Sequence, residues 1–316
     1  MLISEIISVL IFAGVITAVY AAEGYLVVRA IRDKLKRLPL RRYWSKGAIV
    51  IHLFAVVGVI CLVWGFFIEP YWIEVKTVQI PTSKLKHGIV RVVQISDLHC
   101  RGTEGNEEKV VALVNALKPD VIVFTGDAAD NPEGLKRFKD TMRRLEAGLV
   151  KVAVRGNYDL VKFQKADLFG GTDFTELDSR SIEVEKDGEK FWITGVNCEK
   201  EGEIDGVLKK VPRDCFSILL YHYPDLVEDM AGRNVDLYLA GHIHGGQIAL
   251  PFYGAVITLS KFGKKYESGM YKVANIKLYV NRGIGMDGGP SPRARFLARP
   301  EITVFEIHPP GWIKPK

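Results

Sequence analysis

Seven side chains able to ligate a divalent cation stand at the ends of short apolar runs: Asp97 and His99 in ISDLH, Asp127 in TGDAAD, Asn157 in RGNYD, His222 in LLYHYP, and His242 with His244 in AGHIHGG. The chain has seven histidines, and four of them fall in these loops; His52, His87 and His308 do not. One Asp-x-His is a weak signal, because a histidine after a strand is more often a hydrogen-bonded loop residue than a ligand. The same signal repeated at successive strand ends is hard to obtain by chance. Imidazole, carboxylate and one amide oxygen, without thiolate, suit two divalent cations, Mn2+ first and Fe2+ or Zn2+ as alternatives, better than a structural zinc knuckle. Seven donors exceed the needs of one tetrahedral ion, and a carboxylate can bridge two ions ~3.5–4 Å apart. Such a pair lowers the pKa of a shared water and holds a phosphoryl oxygen, the chemistry of in-line phosphoester hydrolysis.

The elements that must position these groups alternate along the chain. Residues 89–96 (IVRVVQIS) read as an apolar strand running into Asp97, and residues 107–117 space Val110, Val111, Val114 and Leu117 like one helix face. Residues 121–125 form a second strand before Gly126 and Asp127, residues 133–145 are helical by composition, and residues 150–154 form a third strand before Gly156 and Asn157. This β-α-β-α-β order predicts an α/β fold with a parallel sheet whose polar residues gather at the strand C-termini. Residues 182–184 and 191–196 read as a hairpin about Asp187 and Gly188, and residues 216–220 and 237–240 as buried strands. From Gln247 to a last strand at 302–307 the pattern is mainly β, without an internal repeat.

Ahead of this unit lie two uncharged apolar runs, residues 6–22 and 47–68, inside a chain of 316 residues that is 48% hydrophobic. A hydrocarbon core of ~30 Å needs ~20 apolar residues as helix. The second run suffices alone, and the first does so when counted to residue 28. A cleaved signal peptide would want a positive start, and residues 1–5 hold no Lys or Arg. The reading is therefore transmembrane helix 1–28, basic loop 29–46, transmembrane helix 47–68, linker 69–88, a catalytic domain 89–308 and a tail 309–316. Trp64, Tyr71 and Trp72 fall where aromatic rings favour the headgroup zone.

Residues 1–70 hold eight Lys or Arg against four Asp or Glu, so most of the formal charge of +6 sits in the first fifth of the chain. That asymmetry points to the bilayer as partner and gives no reason to expect nucleic acid. Arg29, Arg32, Lys34, Lys36, Arg37, Arg41, Arg42 and Lys46 make the connecting loop cytoplasmic by the positive-inside rule, which puts everything after Ile68 on the other side. Cys61, Cys100, Cys198 and Cys215 are far apart and fit neither a zinc knuckle nor a disulfide framework.

The motifs DLH, GDxxD at 126–130, GNxD at 156–159, the lone His222 and GHIHGGQ at 241–247 resemble the calcineurin-like metallophosphoesterases over roughly residues 89–307. The resemblance implies a four-layer α-β-β-α sandwich with a dimetal site. Asp97, His99, Asp127 and His244 would ligate the first ion, and Asp127, Asn157, His222 and His242 the second, with Asp127 bridging. The run from GHIHGGQIALPFYGA to NRGIGMDGGPSPRARFLARPEI is similar to a membrane-associated bacterial branch. That branch includes YaeI-type phosphodiesterases and the UDP-2,3-diacylglucosamine pyrophosphohydrolases of lipid A synthesis. It implies a phosphate-containing, lipid-linked substrate and the bacterial inner membrane.

One position departs from the pattern. Where many members carry GNH followed by Asp or Glu, and use the histidine to protonate the leaving group, this chain has Tyr158 and then Asp159. Asn157, Tyr158 and Asp159 are the candidate catalytic residues of this loop. A phenol of pKa ~10 is a poor acid at neutral pH, which leaves a non-catalytic binding module of the same fold as the alternative reading. Gly283, Gly285 and Gly288 spell GxGxxG, but Pro290 and Pro292 follow where a dinucleotide-binding turn would open a helix. This segment reads instead as a loop near the site, with Arg293, Arg295 and Arg299 available to a substrate phosphate.

Overall fold

The computed structural model describes residues 2–40, 43–103, 105–289 and 292–312. Arg41 and Arg42 of the basic loop, Pro290, and residues 313–316 of the tail lie outside them.

Two helices come first, α1 (Ile3–Leu35) and α2 (Lys46–Val63). They run antiparallel, since Tyr20 Oη donates to Ala55 O at 3.1 Å and His52 Nδ1 meets Glu23 Oε2 at 2.6 Å. Their apolar side chains point outward: Leu53, Phe54 and Ile60 are each about 60% exposed, so among the described residues nothing covers them. α1 continues past residue 28, where the first apolar segment was expected to end. No breaker occurs before Pro39, and Arg29 pairs with Asp33 one turn on at 3.7 Å. The basic end of this 33-residue helix, about 50 Å long at 1.5 Å per residue, therefore overshoots a ~30 Å hydrocarbon core. A π-helical turn, Trp64–Ile68, and a 3-10 turn, Glu69–Tyr71, close the second helix.

The following strands and helices in chain order are β1 (Glu74–Pro81), β2 (Val90–Ile95), α3 (Glu107–Ala116), β3 (Val121–Phe124), α4 (Pro132–Arg143), β4 (Val150–Ala153), α5 (Asn157–Phe163), β5 (Phe174–Glu176), β6 (Arg180–Lys186), β7 (Glu189–Gly195), α6 (Ile204–Leu208), β8 (Phe216–Leu220), β9 (Leu237–Ala240), β10 (Ala249–Leu250), β11 (Gly254–Ala255), β12 (Gly269–Val273), β13 (Ile276–Val280) and β14 (Glu301–His308). One six-stranded sheet has the order β1-β14-β2-β3-β4-β5 and the other β12-β13-β9-β8-β7-β6. β2 to β5 are parallel, as the alternation of strands and helices predicts, and β14 enters antiparallel to β2. β1 occupies part of the stretch expected as a linker. It pairs with β14 alone and leaves most side chains of EVKTVQIP outside the core, so it lacks the apolar run of a central strand.

The central strands are apolar on both faces because both faces are covered. In β2, Val90 and Val92 face the second sheet, while Val93 and Ile95 pack with Val110, Val114 and Phe138 of α3 and α4. Across the inter-sheet core stand Phe191, Ile218, Leu220 and Leu239, and beyond the second sheet Leu219 and Tyr238 meet Ile204 and Leu208 of α6. This is the four-layer α-β-β-α arrangement. The parallel strands of both sheets deliver their C-terminal loops to one region.

Candidate metal centre

Those loops bring the seven residues together. Asp97, His99 and His244 form one buried group, and Asp127 and His222 with the half-buried His242 a second; within each, the donor atoms lie within 4.8 Å of one another. Asp127 touches both groups, with Oδ2 3.3 Å from His222 Nε2 and 3.7 Å from His99 Nε2. Asp97 Oδ1 likewise lies 3.4 Å from His244 Nε2 and 3.9 Å from His222 Nε2. The amide oxygen of Asn157 is buried at the start of α5 without a hydrogen-bond partner, as are His99 Nε2 and His222 Nε2.

The backbone is bent to do this. Asp97, His99, Asp127, His242 and His244 all have φ between 42° and 71°, a region that costs a non-glycine residue about 1–3 kcal/mol. Buried hydrogen bonds compensate. Asp159 accepts three backbone amides, those of Asp127 and Gly156 on Oδ2 (2.8 and 2.9 Å) and that of Ala128 on Oδ1 (2.8 Å). A Cβ on Gly156 would stand 2.2 Å from Asp127 Oδ1, so only glycine lets this loop pass. The GxGxxG loop also serves the site: Gly285 N donates to Asp97 O at 2.7 Å, and a Cβ there would meet Leu98 O at 2.2 Å.

Second partners orient the rings. His222 Nδ1 donates to Thr125 O at 2.6 Å and His99 Nδ1 faces Asp130 Oδ1 at 2.9 Å, so both Nε2 lone pairs turn inward. Burial would raise Asp97, but the imidazoles of His244, His222 and His99 hold it well below the usual carboxylate range. Burial and the neighbouring His222 push His242 down to about 3, which keeps it neutral. His222 is raised to about 10 against its burial, because the Asp127 and Asp97 carboxylates call for positive charge at its Nε2. Orphaned inward-facing nitrogen and oxygen atoms around two buried carboxylates form a donor set that fits two divalent ions.

Residues 90–246 match the family model described as calcineurin-like phosphoesterase. Over 255 residues the chain is 37% identical to the Bacillus subtilis protein named uncharacterized metallophosphoesterase YkuE, covering 76% of this chain and 87% of that one. The chain belongs to the calcineurin-like phosphoesterase family. It is also similar to the Escherichia coli phosphodiesterase YaeI, at 26% identity over 76% of this chain and 90% of that one. A Danio rerio protein named transmembrane protein with metallophosphoesterase domain is 27% identical over 73% of this chain and 56% of its own length. The chain is thus a metallophosphoesterase, and its two outward-facing apolar helices agree with a family in which transmembrane proteins occur.

Around the dimetal site of this metallophosphoesterase, the other sequence candidates sort differently than expected. Tyr158 sits beside it, its ring edge-on to His99 with centroids 4.9 Å apart and Lys162 Nζ 4.2 Å above it. Its hydroxyl donates to Asp287, and burial together with that carboxylate pushes the phenol further up, away from an acid useful at neutral pH. Asp159 is fully buried with its carboxylate committed to backbone amides, so it positions the loops and does not touch substrate. Of the three arginines, only Arg293 reaches the mouth, lining a cavity of about 140 Å³ with His99 and pairing with Asp130 at 2.5 Å. Arg295 is fully buried, its guanidinium donating to Ala298 O at 2.9 Å and to Gly285 O. Arg299 stacks 4.2 Å over the Trp72 ring and donates to Trp72 O and Ile73 O, so both guanidiniums are engaged within the fold and away from the mouth. Asp130, the last residue of GDxxD, carried a motif signal without an assigned role; Asp287 carried no signal at all.

Proposed function

We propose that this metallophosphoesterase is anchored in a bilayer by its two-helix hairpin and hydrolyses a phosphodiester or pyrophosphate bond in an amphiphilic substrate. One observation carries the amphiphilic part. The groove beside the site is lined by His242, His244, Gln247 and Asp287 together with Ile257, Thr258 and Leu259. Thr258 is in turn bound by Glu5 near the start of α1, through both its amide (2.8 Å) and its hydroxyl (2.7 Å). A phosphate carried on an apolar tail along α1 would enter the groove at that wall. Exposed Phe252, Tyr253 and Leu259 extend the apolar path.

Within the site, Asp97, His99 and His244 would hold one ion, and His222, His242 and Asn157 the other, with Asp127 shared. Two divalent ions supply Lewis acidity to a phosphoryl oxygen and lower the pKa of a water. Arg293 orients the incoming phosphate at the mouth. Tyr158 does not stand ready to protonate a poor leaving group, since its phenol is raised and engaged. That favours a substrate whose leaving group is already stable, as a nucleoside monophosphate is when it leaves a pyrophosphate. UDP-2,3-diacylglucosamine is one substrate of this kind.

The test is a hydrolysis panel with Mn2+ on the full chain: bis-p-nitrophenyl phosphate, UDP-2,3-diacylglucosamine, nucleotide sugars and lipid phosphates, each with wild type and His242→Ala. Hydrolysis is expected for a lipid-linked substrate, falling at least ~10²-fold in the variant, since such ions contribute several kcal/mol. Activity unchanged in His242→Ala sinks the metal assignment. No hydrolysis, with less than one equivalent of Mn2+ bound, makes the chain a binding module.

A further inference from the structure

Each apolar helix carries, at its domain-side terminus, a buried carboxylate that grips a loop of the metal centre: the first turn of α1 and the turns that close α2. At α1 it is Glu5, 4% exposed, on Thr258. At the end of α2 it is Glu69, 2% exposed, whose Oε1 accepts the amide of Ala298 at 2.7 Å while Oε2 accepts the indole of Trp64 at 2.7 Å. The π-helical turn adds a backbone contact, because Gly65 O accepts the amide of Arg295 at 2.8 Å. The fit is close: a Cβ on Gly65 would stand 3.3 Å from Arg295 O. π-Bulges concentrate where a helix is shaped for a task beyond helix formation.

Arg295 carries the contact inward. Its guanidinium lies with Nη2 3.3 Å from His244 Nδ1 and Nη1 3.4 Å from His244 O, on the side of the ring opposite Asp97. The adjoining Phe296 N donates to Gln247 O at 2.9 Å, and Ala249 N to Phe296 O at 2.8 Å, so the whole 295–298 loop is laced to the GHIHGGQ turn. Arg295 has only N–H groups to offer, so when His244 Nε2 turns to an ion it is the bond from Nη1 to the His244 carbonyl, with the laced loop, that fixes the ring's backbone. Losing an outer anchor of a metal-ligating histidine typically weakens the metal 10–100-fold.

We infer that Glu69 and Arg295 are positioning residues through which the end of the second apolar helix holds His244 in its metal-ligating place, making the hairpin a working part of the metal centre. The inference rests on the dimetal reading of the site, and its test separates the two. Mn2+ is titrated into the full chain in phosphatidylcholine nanodiscs, followed by electron paramagnetic resonance, with His244→Ala marking the equivalent that depends on that ring. Arg295→Met is expected to weaken that equivalent 10–100-fold and leave the other within about threefold. Glu69→Ala weakens the same equivalent, and Glu69→Gln, which keeps an oxygen for Ala298 N, restores most of it. Should Arg295→Met fail to fold, the Glu69 pair decides alone. Equal weakening of both equivalents, or of neither, overturns the inference. A wild-type chain that binds less than one equivalent of Mn2+ overturns the dimetal reading beneath it.

Discussion

Asp127 stands between the two candidate ion positions, since one of its oxygens faces His222 and His99 together while the other accepts the amide of Tyr158 at 2.9 Å. Asp127→Asn removes the shared charge with little change of shape. Hydrolysis of bis-p-nitrophenyl phosphate should fall at least ~10²-fold, a loss of several kcal/mol, and bound Mn2+ should drop from two equivalents to one or fewer by elemental analysis. A variant retaining both ions would remove Asp127 from the bridging role. The arginines divide more finely. Arg293 shares the mouth with His99, whereas Arg299 is stacked on Trp72 and bonded to backbone. A charge-assisted contact worth ~1.5 kcal/mol predicts about a tenfold rise in KM for Arg293→Ala with kcat nearly unchanged, and no change in either for Arg299→Ala. Steady-state kinetics on one phosphodiester check both.

At the scale of elements, the candidate ligands converge because short loops hold five of them, Asp97, His99, Asp127, His242 and His244, at left-handed backbone angles, and Asp159 ties two of those loops together through three amides. An amide side chain cannot accept on both of its terminal atoms, so Asp159→Asn leaves at least one buried N–H unpaired, at a cost of about 1–3 kcal/mol. For a chain of this size that lowers Tm by roughly 2–12 °C, measurable by scanning fluorimetry in detergent; an unchanged Tm would mean that Asp159 does not brace the loops. The motif loops and the parallel strands β2, β3 and β4 were legible in the sequence because burial on both faces leaves an uninterrupted apolar run that stops at a polar loop. β1 was not legible, since its register is set by β14, more than two hundred positions away, and one sheet edge demands no apolar pattern. Arg295 misled for a related reason. A guanidinium near a glycine loop looks available to phosphate until the fold shows every side of it bonded to carbonyls. Glu5 and Glu69 read as the charges bounding two apolar runs, and nothing local marks them as caps for loops hundreds of positions away.

The whole molecule adds a direction. The connection between α1 and α2 carries Lys36 and Arg37, the last turns of α1 carry Arg29, Arg32 and Lys34, and α2 opens on Lys46, while the metallophosphoesterase domain hangs from the opposite end of the hairpin. By the positive-inside rule the domain is expected outside the cytoplasm, whereas a UDP-linked lipid precursor is made within it. Cysteine accessibility separates the two arrangements, because the native thiols are already well distributed. Cys100 and Cys198 are buried, Cys61 lies in the apolar stretch of α2, and Cys215 is partly exposed on the domain surface just before β8. A membrane-impermeant maleimide applied to intact spheroplasts should therefore label Cys215, with Cys215→Ser as the blank and lysed cells as the full-labelling control. Labelling before lysis keeps lipid phosphodiesters of the outer face as substrates and eliminates UDP-2,3-diacylglucosamine. Labelling only after lysis reverses both conclusions, since the basic turns of α1 would then face outward against their charge and the groove beside Thr258 would open toward the compartment where nucleotide-linked lipids are made.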